Sequence, residues 1–216
     1  MKRKLEGIFK RLYSVFGAQH WWPAQSSFEV IVGAILTQNT SWLNVEKAIC
    51  NLKKEKVLSP QKLYRLKSSK LARLIKPAGY YNIKAKRLNE FLKFFFRHYQ
   101  ANIKKLALVK TDKLRQELLL VNGIGPETAD SILLYALNKP VFVIDAYTKR
   151  IFSRHGFLKE EISYEAAQNL FSQHLKKEVK LFNEYHALLV RLAKDFCLKT
   201  KPRCPACPLG NKKFYC

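Results

Sequence analysis

Four features of this 216-residue chain pair residue types with spacings that chemistry could use. The first is Asn122-Gly123-Ile124-Gly125-Pro126, set between Leu114, Leu118 and Leu119 on one side and Ala129, Ile132 and Leu133 on the other. It reads as helix, tight turn, helix. The glycines admit positive φ, the proline suits the first turn of the second helix, and the amides ahead of it can point at an anion such as a phosphate. An ordinary turn between two helices is the other reading of the same residues. The second feature is Asp145, which follows Val141-Phe142-Val143-Ile144 and precedes a helix starting near Ala146. A carboxylate held there can cap the helix, and it can also stabilise a developing positive charge or activate water. The third is Cys197, Cys204, Cys207 and Cys216, with six, two and eight residues between them. Four thiolates can hold zinc or an iron–sulfur cluster, although zinc ribbons usually show two close Cys-x-x-Cys pairs and this chain has one. The fourth is Trp21, Trp22 and Trp42, whose rings either pack in a core or stack on a planar ligand.

The elements that must position these residues read as helices almost throughout, so the fold class is all-α. Ser26-Ser27-Phe28-Glu29 forms a capping box that opens a buried helix through about Leu36; Ser41 can cap the next, and Ser59-Pro60 opens a third. Leu88, Phe91, Leu92, Phe95 and Tyr99 line one face of a long helix after Asn82, with Lys84, Lys86, Arg87, Lys93 and Arg97 on the others. Thr111 begins a helix, Ser163 caps one, and the last long helix places Tyr185, Leu188, Leu189, Leu192 and Phe196 on one side. Val141 to Ile144 is strand-like but short, which suits an extended connector. Cys50, alone late in a helix, reads as a buried apolar residue. The five histidines show no ligand spacing, and no repeat or Gly/Ser linker separates the chain into loosely joined lobes.

Forty Lys and Arg against sixteen Asp and Glu leave a formal charge of +24, spread along the chain. A polyanion is the partner this implies, through release of counterions from phosphates. A merely soluble surface built on ion-pair networks would enrich Glu along with Lys, and Glu is scarce. No stretch has the roughly twenty apolar residues that span a bilayer. Leu5, Ile8, Phe9, Leu12 and Phe16 recur at helical spacing among charged residues, so the N-terminal stretch has no signal-like apolar block. The expectation is a soluble, monomeric, cytoplasmic protein at the nucleoid, with no membrane partner.

The segment Val121-Asn-Gly-Ile-Gly-Pro-Glu-Thr-Ala129, followed by Val143-Ile-Asp145, resembles the helix-hairpin-helix glycosylase superfamily that includes endonuclease III. Leu36-Thr-Gln-Asn-Thr-Ser41, Gly79-Tyr-Tyr-Asn-Ile-Lys-Ala85 and Lys201-Pro-Arg-Cys-Pro-Ala-Cys207 resemble further motifs of that family, in family order from about Ser26 to Cys216. The resemblance implies two closely packed helical domains. Residues 24–137 would form a six-helix domain with the hairpin, residues 1–23 with 138–216 a second domain ending in a cluster loop at 197–216, and the substrate cleft would lie between them. It further implies that Asp145 is catalytic. Gly123, Ile124, Gly125, Gln38, Asn39, Lys84, Lys201 and Arg203 would contact DNA, with Gln38 filling the gap left by an extruded base. Cys197, Cys204, Cys207 and Cys216 would hold a [4Fe–4S] cluster, with zinc as the alternative, although the last interval is longer than the family's usual one.

The partner so implied is double-stranded DNA with a damaged base. In the bifunctional relatives a lysine two residues after the second hairpin glycine attacks the sugar; this chain has Glu127, and a carboxylate cannot form a Schiff base. Glu127 is either part of the base pocket or a favourable charge in the first turn of its helix. Trp21-Trp22-Pro23 together with Leu36 to Trp42 resembles the bacterial 3-methyladenine glycosylase branch, which implies that Trp21, Trp22, Pro23 and Trp42 form a pocket for an alkylated purine in base excision repair. The branch as usually met lacks a cluster, so the chain mixes features of two branches. The rival expectations are a bifunctional or mismatch-type endonuclease III-like glycosylase for damaged pyrimidines and a non-catalytic DNA-binding protein.

Overall fold

The computed structural model describes residues 1–210, and Cys216 therefore lies outside the described residues. Among them the α-helices in chain order are α1 (Lys2–Phe16), α2 (Ser27–Leu36), α3 (Trp42–Lys54), α4 (Pro60–Arg65), α5 (Ser68–Leu74), α6 (Tyr81–Tyr99), α7 (Ile103–Leu108), α8 (Thr111–Leu119), α9 (Pro126–Ser131), α10 (Ala146–Arg154), α11 (Tyr164–Ser172) and α12 (Val179–Asp195). No β-strand occurs among the described residues. The chain divides into two compact units, Ala24–Lys139 and Met1–Pro23 joined with the chain from Pro140 onward.

In the unit Ala24–Lys139 the central element is α2, buried at every position from Phe28 to Leu36 and packed against α3, α6 and α9. Its start follows the capping logic with one change. The Ser26 hydroxyl accepts from the Glu29 amide at 3.2 Å, but the Glu29 carboxylate accepts from the Gln25 amide rather than from that of Ser26. Glu29 is buried and ion-paired to Lys53 at 2.7 Å, so its second oxygen is also satisfied. Ser59 caps α4 through the Lys62 amide, whereas Ser41 precedes α3 without a side-chain capping bond. Cys50 is exposed, which corrects the buried reading: it falls on the outer face of α3, while Val45, Ala48, Ile49 and Leu52 form the inner one. Beyond α9 the chain widens at once into a π-helical turn, Ile132–Ala136, whose residues are all buried.

In the other unit α12 packs against α10 and α1, and the buried Tyr185 hydroxyl of α12 donates to the Leu5 carbonyl of α1 at 2.9 Å. Val141 to Ile144 is a connector outside any helix, with no strand partner among the described residues. Two side chains of α11 supply what a strand would: Gln168 donates to the Phe142 carbonyl at 2.7 Å, and the Tyr164 hydroxyl accepts from the Ile144 amide at 3.2 Å. The Phe142 ring stacks on Phe171 at 3.9 Å between centroids, which fixes the chain entering α10.

Candidate functional site

The hairpin is α8, a turn and α9. Arg115 of α8 grips the fully buried Asp130 of α9 by two bonds, 2.7 and 3.2 Å, so the two helices are clamped in a planar bidentate pair. Only one of the turn glycines needs its backbone freedom. Gly123 sits at φ 88, and a Cβ there would lie 2.3 Å from Arg87 Cγ. Gly125 is extended at φ −91 and ψ 179, a conformation open to any residue, and nothing lies within 4 Å of where its Cβ would be. The value of glycine at 125 is therefore an open approach to the start of α9. Ile124 has a different part from the one expected: its side chain is buried and its amide donates to the Val121 carbonyl at 3.0 Å, so it anchors the turn. Pro126 and Glu127 occupy the first turn of α9, Glu127 exposed.

Gln38, just past α2, reaches the hairpin. Its amide donates to the Gly123 carbonyl and to the Thr128 hydroxyl, each at 2.9 Å, while its oxygen accepts from Arg87 of α6. Asn39 beside it is exposed with φ 52. Lys84 corrects the expectation of a DNA contact: it is 1% exposed, and its ammonium donates to the carbonyls of Leu36 at 2.9 Å and Ala78 at 2.7 Å. Burial, with the Arg87 charge adding to it, lowers its pKa to about 8. Lys84 thus ties off the end of α2 and has no surface to offer a phosphate.

In the other unit Asp145 is the N-cap of α10, its Oδ1 accepting from the Thr148 amide at 2.7 Å. Its Oδ2 lies 3.4 Å from Nε2 of His186 on α12, and the two side chains are 12% and 8% exposed. Burial pushes the Asp145 carboxyl up, but His186 beside it and the Thr148 amide bonded to its Oδ1 prevail and hold it below its ordinary value. A carboxylate kept ionised in a nearly dry setting is the form suited to facing a developing cation. The spacing of the five histidines gives no sign of His186, because its partner is a carboxylate on another helix. The usable signal was its place on the inner face of α12, between Phe182 and Leu189 at helical spacing, where a histidine needs a partner.

Trp21 and Trp22 meet edge to face, 5.7 Å between ring centroids, both half-buried, with Pro23 exposed beside them. Lys194 of α12 lies 5.9 Å over the Trp21 ring, a cation that sequence spacing did not suggest. Trp42 belongs to the other unit, at the start of α3, where its indole N–H donates to Glu46 at 2.6 Å.

Cys197 is buried, Cys207 half-buried and Cys204 exposed, yet all three line one cavity of about 110 Å³ with Arg154, His155, Phe196, Pro202 and Gly210. Arg150 donates to the Cys197 carbonyl at 2.8 Å, and Arg154 reaches Cys197 Sγ at 3.4 Å and the carbonyls of Leu198 and Lys199. Burial, joined by the neighbouring Cys197 and Cys204, pushes the Cys207 thiol up. A Cβ at Gly210 would fall 2.2 Å from the Cys204 carbonyl, so only glycine lets the loop close round this cavity. Among the described residues no group of three or more His, Cys, Asp or Glu is gathered to hold a metal ion. Lys201 and Arg203 are exposed on the same loop.

The comparisons with known proteins agree with one another. The model of the HhH-GPD superfamily of base excision DNA repair proteins matches residues 32–177, more than half of the chain. A provisionally named DNA repair glycosylase of Methanocaldococcus jannaschii is 52% identical over 206 residues, covering 94% of this chain and 92% of that protein. Endonuclease III of Thermotoga maritima is 31% identical over 189 residues, 87% of this chain and 83% of its own. Among solved structures, the Helicobacter pylori 3-methyladenine DNA glycosylase bound to 1,N6-ethenoadenine aligns with a TM-score of 0.75 and 30% identity, over 88% of this chain and 97% of that one. An endonuclease III–DNA complex aligns at 0.82 with 21% identity over 96% and 92%, a likeness of fold. With its hairpin clamped between α8 and α9, this chain belongs to the HhH-GPD superfamily of base excision DNA repair proteins.

Proposed function

We propose that the protein is a monofunctional DNA glycosylase that hydrolyses the bond between deoxyribose and an alkylated purine of the 3-methyladenine kind in double-stranded DNA. The observation that carries this reading is Asp145, a carboxylate held ionised against its own burial by His186 and Thr148. In the reaction the C1′–N bond breaks, its electron pair leaves with the base, and positive charge grows on the sugar. Asp145 stabilises that charge and accepts the proton of the water that attacks C1′. An alkylated purine already carries positive charge, so it departs without a general acid. Electron-rich rings at Trp21, Trp22 and Trp42, with Pro23, suit recognition of such a base once it is extruded from the stack. The likeness to the H. pylori enzyme supports this substrate class.

Glu127 stands in the first turn of α9 and brings no amine to the sugar, so the abasic site is the predicted product. The open Cα of Gly125 at the hairpin suits approach of a DNA phosphate, and Asn39, Lys201 and Arg203 offer exposed polar or basic groups to the same duplex. Gln38 joins them once its bonds to Gly123 and Thr128 are released.

Cys197, Cys204 and Cys207, with Cys216, would hold a [4Fe–4S] cluster, with zinc as the alternative; that Cys197, Cys204 and Cys207 border one cavity supports this reading. When bound, the cluster supplies structure to the loop that carries Lys201 and Arg203. The chain's own part there is positioning: Arg150 and Arg154 hold the backbone of Cys197, Leu198 and Lys199 to α10.

The test is a set of duplexes bearing alkylated, deaminated or oxidised bases, scored for base release and for a borohydride-trapped covalent complex. Release of alkylated purine alone, with no trapped complex, is expected. Trapping on damaged pyrimidines would establish the bifunctional endonuclease III-like reading, and no release from any duplex would establish a non-catalytic DNA-binding protein.

A further inference from the structure

We propose that His186 is a positioning residue for Asp145: from α12 its Nε2 stands within ion-pair distance of carboxylate oxygen Oδ2, while the Thr148 amide of α10 bonds Oδ1, so groups on two separate helices orient the carboxylate. The inference rests on the reading of Asp145 as the catalytic carboxylate. The geometry is specific. A helix-capping aspartate needs only one oxygen for its cap, and in α10 that bond is made by Oδ1 at 2.7 Å. The second oxygen of a capping residue normally turns to water. In this chain it faces an imidazole nitrogen at 3.4 Å instead, on a residue 6% exposed that lies amid the apolar inner face of α12.

Histidine on the inner face of an amphipathic helix is costly unless it meets a polar partner. Position 186 is flanked by the fully buried Tyr185 and Leu189, and an apolar residue would pack there more simply. A histidine whose Nε2 faces Asp145 gives the second oxygen a partner that water would otherwise provide. The charged group bearing on Asp145 is His186 from α12, and Thr148 is the polar group from α10 itself. From α11 the Tyr164 hydroxyl is engaged by the Ile144 amide, and Lys149 of α10 is turned to the Ile162 carbonyl.

Two consequences separate a positioning role from a packing role. With His186 in place the carboxylate stays ionised despite burial; without it, burial is opposed by Thr148 alone and the carboxyl rises. The acid limb of activity therefore moves to higher pH in a His186 variant. Loss of rate falls on kcat rather than KM, because substrate binding does not pass through Oδ2.

The experiment compares wild type, His186→Leu, His186→Asn and Asp145→Asn in single-turnover release of methylated purine from methylated duplex DNA, across pH. NMR titration of the Asp145 side-chain carboxyl carbon is followed in wild type and His186→Asn. Expected are a kcat loss of about tenfold to a hundredfold in His186→Leu, an acid limb raised in both His186 variants, and partial rescue of kcat by Asn, which keeps a donor. If Asp145→Asn is inactive while both His186 variants keep wild-type kcat and acid limb, the positioning role is overturned and the catalytic reading stands. If Asp145→Asn is fully active, the catalytic reading itself fails. If the leucine variant does not fold, the wild-type titration decides: an Asp145 carboxyl at or above its ordinary value would overturn the proposal.

Discussion

Asp145 concentrates the electrostatics of the proposed site in one residue. Its folded carboxyl titrates below the ordinary 3.8, so the stability it contributes is present above that value and is lost as pH falls through the lower folded one. The Tm gap between wild type and Asp145→Asn is therefore expected to be constant from neutral pH down to the ordinary carboxylate range and to shrink below it, as thermal unfolding at several pH values would report. Lys84 makes the opposite case, a cation spent inside the fold. Lys84→Met removes two bonds from an ammonium to the Leu36 and Ala78 carbonyls and is expected to destabilise by about 2 kcal/mol without changing the salt dependence of DNA binding. A reduced salt slope would return Lys84 to the phosphate contacts. From sequence, Asp145 was legible because a capping aspartate before a helix is a local pattern. The burial of Lys84 was not, since the carbonyl of Leu36 that its ammonium meets is forty-eight positions away along the chain. His186 was hidden for the same reason: its partner is forty-one positions away along the chain.

Among the elements, the hairpin divides its glycines between shape and access. Gly123→Ala places a Cβ against Arg87 at positive φ and is expected to cost about 1–3 kcal/mol, read by denaturant unfolding. Gly125→Ala fits the extended backbone and leaves stability unchanged, yet weakens DNA binding by crowding the start of α9. Equal stability losses in the two variants would contradict this division. The clamp between α8 and α9 has a larger effect: Asp130→Ala leaves Arg115 facing a buried gap and is expected to destabilise by about 3–5 kcal/mol. The helices themselves were readable from apolar periodicity and caps, including the buried α2 and the stripe of α6. The exceptions have physical causes. Ser41 stands at a helix start without bonding it, and Cys50 falls on the outer face because helical phase, not residue type, decides burial at the end of α3. The pairing of Arg115 with Asp130 and of Gln38 with Gly123 depends on tertiary closure, which no local pattern reports.

For the whole molecule the governing quantity is a formal charge of +24. Binding to undamaged duplex is expected to weaken steeply with salt, with a log–log slope of about −0.9 for each phosphate neutralised, measured by fluorescence anisotropy. A flat salt response would remove the electrostatic account of DNA engagement. The charge was legible at once from composition, and so was the family, through motifs that recur in fixed order from Ser26 onward. Composition says nothing of the chemistry that follows binding, which depends on one carboxylate. The most direct test of the account is single-turnover release of methylated purine from duplex DNA by wild type and by Asp145→Asn, a change that keeps the helix cap and removes the charge. The account predicts release by wild type and a loss of about a hundredfold or more in the variant. Release at the wild-type rate by Asp145→Asn would contradict it.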